Sequence, residues 1–244
     1  MTIQLRPFTL ITLTFAFLLA APAFAADIEP VSTSTALVAG MSVDEIVGRL
    51  GRQNAQRAAA LHGFEGKRSY RLSYRGFPSG MKAEMEVVAH YQAPENKSFD
   101  VVSESGSKML QSKVLRKLLE SEEEAAHADN QRQTSLTPDN YSFTLLGSRP
   151  SAYGGCYRLG VEPKRENKFL YRGEICVNAA DFAVESIDAE PAKNPSFWIK
   201  KTRIEHRYQK VGQFWFPLSN QSVTNVRIGG TATLNIDYTG YEVR

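Results

Sequence analysis

From residue 69 to its end the chain keeps returning to one rhythm, every second residue apolar with turn residues between the runs. Residues 69–76 set Tyr70, Leu72 and Tyr74 against Arg71, Ser73 and Arg75. Residues 81–91 set Met81, Ala83, Met85, Val87, Ala89 and Tyr91 against Lys82, Glu84, Glu86 and His90. A period of two sustained this long marks a strand with one buried face. Phe77-Pro78-Ser79-Gly80 between the two runs is hairpin-turn chemistry. A third strand is predicted over 97–104 with Phe99 and Val101 inward. Further strands are predicted over 141–146, 156–162, 169–178, 182–187, 197–208, 213–224 and 231–243. Short turns between consecutive strands imply antiparallel meander pairing.

Two segments keep a helical period instead. Ser42-Val43-Asp44-Glu45 has the form of a capping box, with Met41 and Ile46 placed for a hydrophobic staple. Val43, Ile46, Val47, Leu50, Ala58 and Leu61 then recur at helical spacing up to His62-Gly63. Over 107–126, Leu110, Val114, Leu115 and Leu118 do the same, and Glu120–Glu124 read as a solvated helix end. Residues 127–139 read as a polar connection. A long sheet with one apolar face must curl, or be covered. The expected fold is α+β and β-rich: a long curved antiparallel sheet, a half-open barrel, covered by two helices.

The two cysteines can be placed by hairpin arithmetic. The turn at 163–168 is centred between Arg165 and Glu166, or near Glu166 if it carries an odd number of residues, and the pair Cys156 and Cys176 is centred on Glu166. In that register Arg158 faces Glu174, Tyr157 faces Ile175 and Val161 faces Tyr171, so that charge meets charge and apolar meets apolar. A Cys156–Cys176 cross-strand disulfide is therefore expected, on the face opposite Tyr157, Leu159 and Val161; two buried reduced thiols are the alternative.

Composition narrows the picture. The chain has 244 residues and 42% hydrophobic residues, with 29 Lys and Arg against 26 Asp and Glu. That is a folded globular balance, and the small cationic surplus is no footprint for nucleic acid. Residues 1–25 hold Arg6, an uncharged run from Phe8 to Ala20, Pro22 and Ala23-Phe24-Ala25. This is the pattern of a signal peptide cleaved after Ala25, which places the mature chain in an oxidising compartment. Residues 26–41 read as a flexible tether and 42–244 as a single domain.

Catalytic chemistry is not nominated by any motif. There is no paired-His zinc motif, nucleophile elbow, phosphate loop or dinucleotide fingerprint. The basic strand Lys200, Lys201, Arg203, Arg207 and Lys210 resembles a phosphate-binding stripe, but alternation splits it over two faces and a solvated strand is the simpler reading. No catalytic residue, metal ligand or cofactor is expected. The inward positions are instead rich in aromatic, Met and aliphatic side chains, which suit an adaptable apolar pocket. The candidate ligand cavity comprises Leu72, Tyr74, Met81, Met85, Phe99, Val101, Phe143, Leu159, Tyr171, Phe197, Phe214 and Phe216.

The order of helix, strands, helix and long antiparallel run resembles the LolA-like superfamily of bacterial periplasmic proteins. The stretch 157–210, YRLGVEPKRENKFLYRGEICVNAADFAVESIDAEPAKNPSFWIKKTRIEHRYQK, is similar to outer-membrane lipoprotein-sorting members, as is the continuation GQFWFPLSNQSVTNVRIGGTATLNIDYTGYEV. The resemblance implies a half-open barrel closed by helices over an apolar cavity. It implies a carrier whose partner is the acyl chain of a lipid or lipoprotein, together with inner- or outer-membrane protein machinery and no nucleic acid. An envelope protein–protein or stress-sensing module without lipid is the alternative it leaves open, with a hydrolase behind it.

Overall fold

The computed structural model describes residues 40–77, 79–194, 197, 199–227 and 229–244. The signal peptide expected over 1–25, and residues 26–39 of the expected tether, lie outside the described residues.

Helix α1, Val43–Ala60, starts where its capping box places it: the Glu45 N–H donates to the Ser42 hydroxyl at 3.2 Å, and the Ser42 N–H donates to the Glu45 carboxylate at 2.9 Å. Strands β1 (Gly63–Gly76), β2 (Met81–Gln92) and β3 (Asn96–Gly106) follow. Gly106 then reverses the chain at φ +82°, where a Cβ would lie 2.4 Å from the Lys82 carbonyl oxygen, so only glycine fits. Helix α2 runs over 108–126 and carries a π turn at Gln111–Leu115. A short helix α3, Ala128–Thr134, occupies the segment expected as a polar connection. It has no apolar period; side chains hold it instead, with the Asn140 amide donating to the carbonyls of Arg132 (2.9 Å) and Ser135 (2.8 Å). The remaining strands are β4 (Tyr141–Ser151), β5 (Gly154–Pro163), β6 (Tyr171–Asn178), β7 (Val184–Pro191), β8 (Ile199–Val211), β9 (Phe214–Val226) and β10 (Gly230–Val243).

All ten strands form one antiparallel sheet in the order β3-β2-β1-β10-β9-β8-β7-β6-β5-β4. Pairing of β1 with β10 brings the first and last strands together, while β3 and β4 remain edges, so the sheet is an open, unclosed barrel. The helices cover its inner face in two places. Under α1, Ile46, Val47 and Leu50 pack on Tyr157, Leu159, Ile175, Val177 and Ile187. Under α2, Leu110, Leu115 and Leu119 pack on Tyr70, Leu72, Met85, Leu234 and Ile236. A third cluster, Leu61, Phe64, Phe214 and Phe216, closes one end.

The disulfide is present, but in a different register from the one expected. Cys156 opposes Asn178 and Arg158 opposes Cys176, a slip of two residues. Tyr157 faces Val177 and Val161 faces Gly173. The cause is the turn, which runs over 164–170: Phe169 and Leu170, expected to open the strand, are buried in the loop, and β6 begins at Tyr171. A slip of two preserves the face of every side chain. Cys156 and Cys176 therefore meet as diagonal neighbours with Cα atoms 5.5 Å apart, and Arg158 still reaches Glu174 with two bonds of 2.8 and 2.6 Å.

Two further expectations are corrected. Phe197, expected inward at the start of a strand, precedes β8 and is 74% exposed. Glu122, expected on a solvated helix end, has a side chain only 16% exposed and folds under α2, paired with Arg68 and Lys97.

Candidate ligand-binding face

Register carries one continuous row of inner-face residues across the whole sheet: Glu104, Met85, Tyr70, Ile236, Asn220, His206, Ile187, Ile175, Leu159 and Leu145, one from each strand. Between the Glu104 carboxylate at the β3 edge, which pairs with Arg116, and Leu145 at the β4 edge, the row is apolar except at its centre, where Asn220 and His206 of β9 and β8 sit. There the Asn220 amide lies 2.9 Å from His206 Nδ1, and the imidazole packs 4.6 Å from the Tyr208 ring. Burial pushes the His206 imidazole down to about 3, so it is neutral at physiological pH. Its Nε2 is buried with no hydrogen-bond partner.

Beneath α2 the polar content is ionic. The Arg68 guanidinium lies between the rings of Phe99 (5.0 Å) and Tyr238 (5.1 Å). It donates to Glu122 at 2.6 Å, and the Lys97 ammonium reaches the same carboxylate at 2.9 Å. Burial alone would raise the Glu122 carboxyl, but Arg68 and Lys97 outweigh it and hold it at about 2. This triad ties α2 to β1 and β3.

Between α1, α3 and the inner face lies a pocket of about 300 Å³. Tyr171, Ile187, Tyr208 and Trp215 contribute from the strands, and Phe169, Ala183 and Val184 complete that side. Gly51, Asn54, Ala55 and Ala58 on α1 face residues 134–137 across it. Burial raises the Tyr171 and Tyr208 phenols above their usual range, so both stay protonated. Near this pocket the buried Arg57 of α1 donates to the Asp181 carbonyl and to Asn54 Oδ1 (3.1 Å), and Asp181 accepts from the Trp215 indole (2.9 Å) and Lys210 (2.9 Å). This network anchors the C-terminal end of α1 to the β6–β7 turn and β9.

The residues selected from the sequence fall in several places. Leu72, Met81, Met85, Phe99 and Val101 lie under α2. Phe143, Leu159 and Tyr171 belong to the cluster under α1, and of these Tyr171 lines the pocket. Phe214 and Phe216 belong to the end cluster. Tyr74 is half-buried and reaches to the end of the sheet, its hydroxyl 3.1 and 3.0 Å from the carbonyls of Phe77 and Gly229. Pocket residues missed from the sequence include Ile187, Tyr208 and Trp215. Ile187 and Tyr208 lay within recognised strands, and their alternation with polar neighbours was the available signal.

Of the histidines, His90 sits at the sheet surface between Glu65 (3.4 Å) and Asp100 (3.0 Å). Both ring nitrogens thus face carboxylates, leaving neither to activate a hydroxyl. No group of three or more His, Cys, Asp or Glu among the described residues could hold a metal ion. No helix among them is long and apolar enough to cross a membrane. The basic strand is largely neutralised: Lys201 pairs with Glu190, Arg203 with Glu205, Arg207 with Asp188 and Lys210 with Asp181.

Comparison with known proteins found no matching family model and no matching curated protein. Among solved structures, the chain is similar to a DUF1329 family protein from Desulfovibrio piger, at 13% identity and a TM-score of 0.42, covering 82% of this chain and 92% of that one. It is similar to a putative outer membrane lipoprotein-sorting protein domain from Vibrio parahaemolyticus, at 8% identity and a TM-score of 0.41, covering 82% and 91%. A LolA superfamily protein from Nitrosomonas europaea gives 10% identity and a TM-score of 0.34, covering 84% and 94%.

Proposed function

We propose that this protein is a periplasmic carrier that holds the acyl chain of a lipid or lipoprotein against the inner face of its sheet. The observation that supports this most directly is the pocket between α1, α3 and the strands, roughly 300 Å³ and lined mainly by aliphatic and aromatic groups. That volume is at the small end of the ligand-pocket range and suits one slender apolar group. An acyl chain gains about 0.8 kcal/mol per buried methylene, so a dozen offer on the order of 10 kcal/mol before the costs of association. Such a ligand needs shape and apolar surface, and no catalytic group. The Cys156–Cys176 disulfide supports the compartment, because disulfides persist where the surroundings are oxidising.

Native mass spectrometry of the gently purified chain tests the reading. A mass increment that releases an acyl-bearing molecule on denaturation is expected. A bare mass in every preparation, with no uptake of added fatty acid or lipopeptide, would overturn it and favour the protein-docking alternative.

A further inference from the structure

Among the described residues, the two most exposed large apolar side chains are Phe77 (80%) and Phe197 (74%). Both project from the same end of the sheet: Phe77 follows β1, and Phe197 sits between β7 and β8. The β9–β10 turn lies between them and links them. The Tyr74 hydroxyl contacts the carbonyls of Phe77 and Gly229, so one phenol ties the two turns together. It packs against Gly76 and Gly230, where an added Cβ would come within 2.5 and 2.6 Å of it. On the far side, the Arg227 guanidinium lies 4.9 Å from the Phe197 ring centroid. Met109, at the start of α2 beside this end, is a third exposed apolar side chain.

Charge at this end has one dominant sign. Arg75, Lys82, Lys200 and Arg227 are exposed, and none has a carboxylate partner among the described residues. Glu190 is paired with Lys201 at 2.5 Å, and the exposed Glu84, two residues inward of Lys82, is the nearest carboxylate on β2. The next cations along β8 are paired, as described above. Exposed aromatic tips set among exposed cations match a lipid interface, where rings enter the boundary region and cations stay among anionic headgroups. A protein partner would call for a broader contiguous apolar patch.

We propose that this end, carrying Phe77, Phe197 and the four free cations, docks the protein on the surface of an anionic lipid bilayer. This goes beyond the carrier reading and does not depend on it, because none of these residues lines the pocket. The test is co-sedimentation of the full chain with vesicles of phosphatidylglycerol and phosphatidylcholine, against vesicles of phosphatidylcholine alone, at low and high salt. Binding to the anionic vesicles is expected, weakening as salt rises. Phe77→Ser with Phe197→Ser should lower the partition constant at least tenfold. Replacing Arg75, Lys82, Lys200 and Arg227 with Gln should lower it at least a hundredfold, at roughly fivefold per cation, and abolish most of the salt dependence. Lys67→Gln with Arg244→Gln, at the opposite end, should leave binding unchanged, as should Gly51→Leu in the pocket. Absence of binding to anionic vesicles would overturn the proposal. So would binding that the rim substitutions do not weaken, or that the opposite-end pair weakens equally. Gly51→Leu separates this outcome from the fate of the carrier reading.

Discussion

Replacing Glu122 by Gln tests the electrostatics that hold α2 to the sheet. Glu122 lies between Arg68, 3% exposed, and Lys97, 8% exposed. With the carboxylate gone, two buried cations lose their counter-charge, and breaking a buried pair in this way costs about 3–5 kcal/mol. The pH dependence gives an independent estimate. The Glu122 carboxyl moves from 4.5 in the unfolded chain to about 2 in the fold. At roughly 1.4 kcal/mol per pH unit this contributes about 3 kcal/mol. Because the folded value is the lower one, the unfolded state takes up the proton first. The contribution is therefore complete above pH 4.5 and is lost as pH falls towards 2. Urea unfolding of both proteins from pH 7 down to pH 2.5 should show the Glu122→Gln variant about 3 kcal/mol weaker at pH 7. The gap should close through the acid range. Substituting all three partners with apolar residues (Arg68→Met, Lys97→Met, Glu122→Leu) should restore much of the loss, since removing an entire buried ion network is often nearly neutral. A loss below about 1 kcal/mol at pH 7, with an unchanged acid profile, would refute the reasoning.

Replacing Cys156 and Cys176 by Ala opens a loop with a sequence separation of 20 and should cost about 3 kcal/mol in unfolding experiments, with the sheet retained by circular dichroism. His206 falls from 6.5 to about 3 on burial, so its neutral form contributes about 5 kcal/mol; that contribution is complete above pH 6.5 and is lost as pH falls towards 3. The His206→Gln variant should lack this part of the acid profile, and an identical profile would remove the claim. Gly51 lines the pocket, and a Cβ there meets nothing within 4 Å. Gly51→Leu should therefore leave stability unchanged or raise it by up to about 1 kcal/mol, because it removes a helix-interior glycine. The same substitution should deplete any co-purifying acyl chain seen by native mass spectrometry.

Local pattern was sufficient for the elements, because both regular structures write their period into the side chains they bury. The capping box at Ser42 and Glu45, the alternation from Tyr70 to Tyr91 and the meander that follows were all legible, as was the open antiparallel sheet they build. The disulfide was legible too, although its register was not. Alternation specifies which face a residue takes, and a slip of two leaves every face intact. Only the packing of Phe169 and Leu170 into the turn decides how much chain the turn consumes. Helix α3 was hidden because side-chain hydrogen bonds, rather than an apolar stripe, hold it. Glu122 could not be distinguished from its acidic neighbours, since its partners Arg68 and Lys97 lie 54 and 25 residues away and meet it only when α2 lies down on the sheet. The same holds for the pocket and for the rim. Sequence can count the aromatics that face inward, but only the folded arrangement of strands and helices decides which pack against one another, which are left lining a space, and which, like Phe197, end in solvent.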